Sequence, residues 1–212
     1  MNILVIGASG RVGTALTEKL LNENHVIVGT TRQEEKLFDS PNYSQINLDL
    51  LKEVEEIEKA IPQEIDTIYF VSGSGGKNLL QVDLDGAIKT MKAAEKKSIQ
   101  RFIMLSSVFS LERDRWEEEG MNDLKDYYLA KHYADQWLVN NTTLNYTILQ
   151  PGALKETQGS GNITVNVDHH GENSIDNVAS ALLAVLEAPS TSKKVITMHD
   201  GDTPIKEAIA GV

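Results

Sequence analysis

The residues best suited to chemistry begin close to the start of the chain, at Gly7-Ala8-Ser9-Gly10-Arg11-Val12-Gly13. Glycine at every third position lets backbone N–H groups approach an anion, and the N-terminus of a following helix adds donors and partial positive charge. The run follows a β-branched segment at residues 3–6 and opens an amphipathic one. Gly7, Ser9, Gly10, Arg11, Val12 and Gly13 are therefore expected to wrap the pyrophosphate of a dinucleotide. The spacing G-x-x-G-x-x-G departs from the better-known G-x-G-x-x-G, and a tight strand-to-helix turn is the plainer alternative.

At the end of the second β-branched run, Gly29-Thr30-Thr31-Arg32, proteins specific for NAD carry an acidic residue for the ribose 2′-hydroxyl. Here the residue is Arg32. A guanidinium pairs bidentately with a 2′-phosphate that a carboxylate would repel, so Arg32 argues for NADP over NAD. Arg11 and Lys36 are candidate helpers. The alternative is a solvated arginine neutralised by Glu34 or Glu35.

A third group joins Ser106-Ser107, at the end of one strand-like run, to Tyr127 and Lys131 on the helix that follows. Positions i and i+4 share a helix face, so phenol and ammonium can act together. Bringing a phenol from its ordinary value near pH ~10 to neutrality takes about 4 kcal/mol. One ammonium at ~5 Å in an effective dielectric near 20 supplies about 3 kcal/mol, so the lysine nearly suffices. Tyr127 alone among the six tyrosines has a lysine four residues on. The bland alternatives are a tyrosine at a helix start and a lysine on a solvated face.

Composition sets the frame for this chemistry. With 41% hydrophobic and 24% charged residues, the chain has ordinary globular usage. Its net charge of -11 opposes a nucleic-acid partner, so any phosphate must be held locally and the expected partner is a small-molecule substrate. The absence of cysteine excludes disulfides, thiolate metal sites and a cysteine nucleophile. Neither an export signal nor a membrane-spanning run is read, so a cytoplasmic protein, monomer or homodimer, is expected.

The elements that must position these residues alternate. Strand-like runs fall at 3–6, 26–30, 46–48, 67–71, 102–105 and 146–149, with helical patterns at 11–21, 51–60, 79–97, 126–139 and 176–186. Right-handed crossovers between buried parallel strands lead to an α/β fold: an open, doubly wound parallel sheet between two helix layers, of Rossmann type. A single domain over residues 1–212 is expected, with 151–212, including strand-like 163–167 and 195–198, as a small substrate-side cap. The ligand crevice of such a sheet lies beyond the carboxyl ends of its strands, where every group above falls.

Through Gly7-x-x-Gly10-x-x-Gly13, Ser107, Tyr127-x-x-x-Lys131 and Pro151-Gly152, the chain resembles the short-chain dehydrogenase/reductase superfamily. It is similar to atypical members of the NAD(P)H-binding, NmrA-like or NAD-dependent epimerase/dehydratase-like type, with Ser174–Ala179 matching the segment that opens their late helix. The resemblance implies that Tyr127 is the general acid/base, that Lys131 holds the nicotinamide ribose and tunes Tyr127, and that Ser107 orients a substrate carbonyl or hydroxyl. It also implies that Pro151, Gly152, Ala153 and Leu154 lie along the nicotinamide, that Asp49 and Leu50 contact adenine, and that Ser72 and Gly73 pass beneath the adenosine ribose. For Asp49 a helix N-cap is the competing reading, and for 72–76 a flexible turn. Where full tetrads carry asparagine, this chain has Asp83, which cannot donate as an amide does.

Three functions remain open at this point: an NADP-dependent oxidoreductase or epimerase acting on a small, sugar-like carbonyl or alcohol, an NADP-sensing regulator of NmrA-like type, and a flavin or quinone reductase. The charged segment 111–126 reads either as a lid over the site or as a solvated loop. His169-His170 are assigned no metal, because adjacent side chains diverge and no third ligand stands nearby.

Overall fold

The computed structural model describes residues 1–117 and 124–212. Strands β1 (Asn2–Ile6), β2 (Val26–Thr30), β3 (Tyr43–Ile46), β4 (Thr67–Phe70), β5 (Arg101–Leu105) and β6 (Asn145–Pro151) are all parallel, in the order 3-2-1-4-5-6. β10 (Lys194–Asp200) continues the sheet in parallel beside β6, and β8 (Asn162–Val165) and β11 (Thr203–Pro204) close that edge antiparallel. The strand order reverses between β1 and β4, which opens the crevice at their carboxyl ends.

Successive side chains of a strand point to opposite faces, and here both faces are covered. Ile3 and Val5 enter one core with Leu16 and Leu20 of α1 (Arg11–Asn22), Val178 and Leu182 of α5 (Ile175–Glu187) and Ile209 of α6 (Ile205–Ala210). Leu4 and Ile6 enter the other, with Ile57 of α2 (Val54–Ala60), Met91 of α3 (Ala87–Lys96) and Leu138 of α4 (Lys125–Asn141). The continuous apolar runs thus reflect strands buried on both sides, as the sequence predicts.

Several boundaries differ from the sequence expectation. The third strand is Tyr43–Ile46, not 46–48, because it is an edge strand whose Ser44 faces solvent and whose apolar signal is correspondingly weak. The second helix begins at Val54, since Asp49 Oδ1 accepts the Leu51 N–H at 3.0 Å and holds a turn ahead of it. The single helix expected over 79–97 is divided into a π-helical turn at Leu79–Gly86 and then α3. Within 151–212, α5, α6 and β10 join the main layers, because the apolar stripe of α5 covers α1. The small parallel pair of β7 (Ala153–Lys155) and β9 (Glu172–Ser174) forms a separate two-stranded sheet.

The fit of α1 against the end of β1 leaves no room at Gly13, where a Cβ would lie 2.0 Å from the Gly7 carbonyl oxygen. Helix propensity favours alanine over glycine by about 1 kcal/mol, but a backbone oxygen cannot swing aside as a side chain can. Gly13→Ala is expected to destabilise the protein by about 2 kcal/mol or more in urea denaturation. A variant as stable as the wild type would contradict this close approach.

Candidate functional site

The crevice holds a cavity of about 780 Å3, within the range of ligand pockets, roughly 300–1,000 Å3. Gly7, Ser9, Gly10, Arg32, Asp49, Leu50, Ser72 and Gly73, each singled out in the sequence, line it together. Thr30, Thr31, Asn47, Lys77 and Asn78 line it too and were missed. For Thr30, Thr31 and Asn47 the signal was positional, since they end or directly follow β2 and β3, whereas Lys77 and Asn78 lie farther along the loop after β4.

One wall is the turn from β1 into α1. Gly7 has φ +95°, a left-handed conformation that L side chains rarely adopt, and a Cβ there would come within 2.7 Å of Ser72 Cα. The Gly7 N–H donates to Thr30 Oγ1 at 3.0 Å, and the Gly10 N–H to the Gly7 carbonyl at 2.9 Å. No side chain caps the N-terminus of α1 and no acidic residue occupies its first turn. The free amides and the positive end of the helix dipole thus lie at the cavity, an arrangement that fits a pyrophosphate.

Arg32 is exposed at the cavity, and among the described residues it has neither ion pair nor hydrogen bond; Glu34 and Glu35 do not neutralise it. The proposed helpers point elsewhere. Arg11 pairs with Glu156 at 3.4 Å on the exposed surface, and Lys36 Nζ donates to the Ser40 carbonyl at 3.0 Å. Val12 and Gly13 pack behind the turn rather than lining it.

The opposite wall is the loop after β4. Asp83, buried in the π-helical turn, accepts the Ser74 N–H on Oδ2 at 3.0 Å, and a Cβ on Gly73 would meet its Oδ1 at 3.3 Å. The carboxylate therefore shapes the Ser72-Gly73-Ser74 wall of the cavity. A departure from an asparagine pattern becomes a backbone anchor here: both side-chain oxygens of Asp83 face the 73–74 backbone, where asparagine would offer one oxygen and one NH2.

Farther along the strand ends, Lys131 is 4% exposed, its Nζ donating to the Leu105 carbonyl at 3.3 Å and lying 5.7 Å from the centroid of the Tyr127 ring. Tyr127 is half-buried. Ser107 Oγ, however, donates to the neighbouring phenol, Tyr128, at 3.2 Å. Burial against Trp116 pushes the Tyr128 hydroxyl above the ordinary phenol value, partly opposed by the Ser107 bond, so it stays protonated. Pro151, Gly152, Ala153 and Leu154 lie at the end of β6 and in β7, where the Gly152 N–H donates to Asn173 Oδ1 at 2.7 Å.

Beneath this group sits Asp135, fully buried and one turn beyond Lys131 on α4. Its Oδ2 accepts hydrogen bonds from Ser106 Oγ at 2.6 Å, from Ser110 Oγ, and from Gln150 Nε2 at 3.1 Å. Burial raises its carboxyl from 3.8 to about 6, opposed by the two serine hydroxyls, Lys131 and Gln150. The sequence reading missed it, although its i+4 spacing from Lys131 put it on the same helical face.

In the segment 111–126, residues 118–123 lie outside the described residues; Arg113–Glu117 form a 3-10 turn in which Trp116 is buried. His169 Nδ1 lies 2.8 Å from Asp168 Oδ1, and among the described residues no three histidine, aspartate or glutamate side chains gather as a metal site would need. No helix among the described residues is long and apolar enough to cross a membrane.

A family model described as NAD(P)H-binding matches residues 7–189. The chain is 36% identical over 217 residues to the uncharacterized sugar epimerase YhfK of Bacillus subtilis (strain 168), covering 99% of both chains. It superposes on the crystal structure of the oxidoreductase ylbE from Lactococcus lactis with a TM-score of 0.96 and 42% identity, covering 100% of this chain and 96% of that one.

Asp135 also couples stability to pH. Because its folded carboxyl is raised above 3.8 to about 6, its contribution is fully present below 3.8 and is lost as pH rises through about 6. The loss amounts to about 3 kcal/mol. The stability of the wild type relative to Asp135→Asn is therefore expected to fall by that order between pH ~4 and ~7.5 in urea titrations. A difference independent of pH would show that the carboxyl is not raised.

Proposed function

Because the chain belongs to the NAD(P)H-binding family whose model spans residues 7–189, we propose that it is an NADP-dependent oxidoreductase or epimerase acting on a small, sugar-like carbonyl or alcohol. When bound, the nicotinamide supplies or accepts a hydride. The chain's own residues do the rest. The Ser9 amide and those of the first turn of α1 hold the pyrophosphate, and Arg32 meets the 2′-phosphate with a guanidinium that no carboxylate among the described residues neutralises. Lys131 has one carbonyl partner and further donors to orient a ribose hydroxyl. Ser107 holds the substrate oxygen, and Tyr127 gives or takes the proton at its phenol oxygen.

The observation that carries this reading is the ammonium of Lys131, almost wholly buried 5.7 Å from the Tyr127 ring and bonded to the carbonyl of Leu105, where the strand leading to Ser107 ends. A charge so sealed from water acts through a low dielectric on whatever titrates beside it. The names of its relatives, a sugar epimerase and an oxidoreductase, support the same class of chemistry.

A second reading, an NADP-sensing regulator, is favoured by one observation: Asp83 is engaged with the cofactor loop and stands in for no amide relay. The two separate on turnover. Tyr127→Phe is expected to lower turnover of a carbonyl substrate by at least about 100-fold while leaving NADPH affinity unchanged. Turnover that survives the substitution favours a flavin or quinone reductase; tight NADPH binding with no oxidation across a broad carbonyl panel favours the sensor.

Cofactor choice has its own measurement. Removing one charge-assisted partner of a phosphate costs about 1.5–3 kcal/mol. In calorimetric titrations Arg32→Ala should therefore weaken NADPH by about 10- to 100-fold and NADH hardly at all. Equal losses for both would discard the phosphate role.

A further inference from the structure

Two of the three polar side chains that converge on Asp135, and Asp135 itself, stand next to the residues assigned to the reacting half of the site. Ser106 precedes Ser107 at the end of β5, Gln150 precedes Pro151 at the end of β6, and Asp135 itself lies one helical turn beyond Lys131 on α4. Ser110 completes the cluster: its hydroxyl donates to Asp135 and accepts from Gln150 Nε2 at 2.7 Å, and its carbonyl meets His132 Nδ1 at 2.8 Å. The chain between Ser106 and Ser110 is folded back tightly, with Phe109 at φ +59°, a conformation a bulky residue adopts only when its surroundings hold it there. Trp116 Nε1 donates to the Phe109 carbonyl at 3.0 Å and its ring packs on Tyr128, the partner of Ser107.

An apolar side chain would fill the same space without burying a charge, and a buried carboxylate is costly unless its hydrogen bonds are made. Here they converge on one oxygen, Oδ2, while Oδ1 is buried without a hydrogen-bond partner. Such a junction fixes position more than it adds stability, because every donor must sit at one point for the charge to be tolerated.

We infer that Asp135 is a positioning residue for the reacting half of the site: it draws the ends of β5 and β6 and one face of α4 onto a single oxygen, and so sets where Ser107, Lys131 and Pro151-Gly152 stand. The inference rests on the assignment of those residues to the nicotinamide side under the proposed function. The adenosine half, formed by Gly7, Arg32, Asp49 and the loop after β4, lies outside the junction.

The junction is sensitive to protonation. Asp135 is faced by Lys131 and His132 from its own helix, by Ser106 and Ser110 from β5 and the turn beyond, and by Gln150 from β6; the charge acting on it is that of Lys131. Below about pH 6 the carboxyl is neutral, and hydrogen bonds to it lose the charge assistance that roughly doubles their strength.

Two ligands separate the halves: NADPH, and adenosine 2′,5′-bisphosphate, which lacks the nicotinamide, its ribose and the phosphate next to that ribose. The ratio of their dissociation constants, measured by calorimetry on the full chain, needs no turnover, and its change from wild type to variant reports the reacting half, since the glycine turn that meets the missing phosphate is the same in both. It therefore stands even if Tyr127→Phe shows the protein not to be an acid/base enzyme. Asp135→Asn is expected to reduce the advantage of NADPH over the bisphosphate by about tenfold, with bisphosphate affinity held within about twofold. Ser110→Ala, which removes one donor and no charge, is expected to reduce it by about threefold, and decides the matter if the first variant fails to fold. The advantage should also fall between pH 7.5 and about 5.5 more steeply in the wild type than in Asp135→Asn, a difference that a purely structural role would not produce. The 5′-monoester of the bisphosphate titrates near pH ~6 as well, but equally for both proteins, so it cancels when their pH profiles are compared. Wild-type advantage in the folded variants, or the same pH profile in the wild type and in Asp135→Asn, would overturn the inference.

Discussion

The carbonyl oxygen of Gly7 is the point from which the rest of the site is measured. It accepts the Gly10 N–H and bars any side chain at Gly13, so the axis of α1 is pressed onto the end of β1. The same glycine, turned to a positive φ, bars any side chain of its own against Ser72, and its N–H reaches Thr30. Three strand ends, β1, β2 and β4, are thereby brought to one corner, and a helix N-terminus with no cap of its own is aimed into the space between them. Overpacking at any of these contacts moves backbone rather than side chain, which is why glycine and no other residue can occupy them.

The two halves of the crevice are built on opposite principles. The half proposed for the adenosine depends on what is absent, namely side chains at the glycines, a helix cap, and, among the described residues, a partner for Arg32. The half proposed for the chemistry depends on what is crowded in, with Lys131 and Asp135 both nearly sealed from water and tied to backbone and hydroxyl groups. Asp135 in particular is held against its own preference, since its ionised form is disfavoured by burial yet is the form that accepts three donors best. Tension of that kind between folding and function is concentrated where geometry must be exact enough for chemistry.

How much of this could be read beforehand depended on whether the signal was local. β2 at Val26–Thr30 was legible in full and β1 and β4 to within one residue at an end, because strands buried on both faces are apolar throughout. The edge strand Tyr43–Ile46 was misplaced because one of its faces meets solvent and its polar positions blur the pattern. The π-helical turn was invisible: one extra residue per turn leaves no compositional mark, yet it carries Asp83 to the Ser74 amide. Residues whose type announces a role could be singled out, such as Arg32, which lines the cavity, and Lys131, which is buried at the end of β5. Gln150 and Ser110 were not, because their role comes only from partners 15 and 25 residues away in the chain. Tyr128 was hidden by its neighbour, and only the direction of each ring shows that Ser107 bonds the second phenol of the pair.

The packing of α5 over α1 has a consequence in time rather than in space. The apolar stripe of α1, with Leu16 and Leu20 fully buried, is covered by Val178 and Leu182, so the helix that presents the glycine turn lacks its helical partner until residues 175–187 are made. β10 likewise joins β6 only at residues 194–200. During synthesis the first half of the crevice therefore emerges with an exposed greasy flank and cannot be completed before nearly the whole polypeptide is available. Contacts of such long sequence separation fold slowly and leave aggregation-prone surface uncovered meanwhile. The nascent chain, more than the finished one, is where this architecture is most vulnerable.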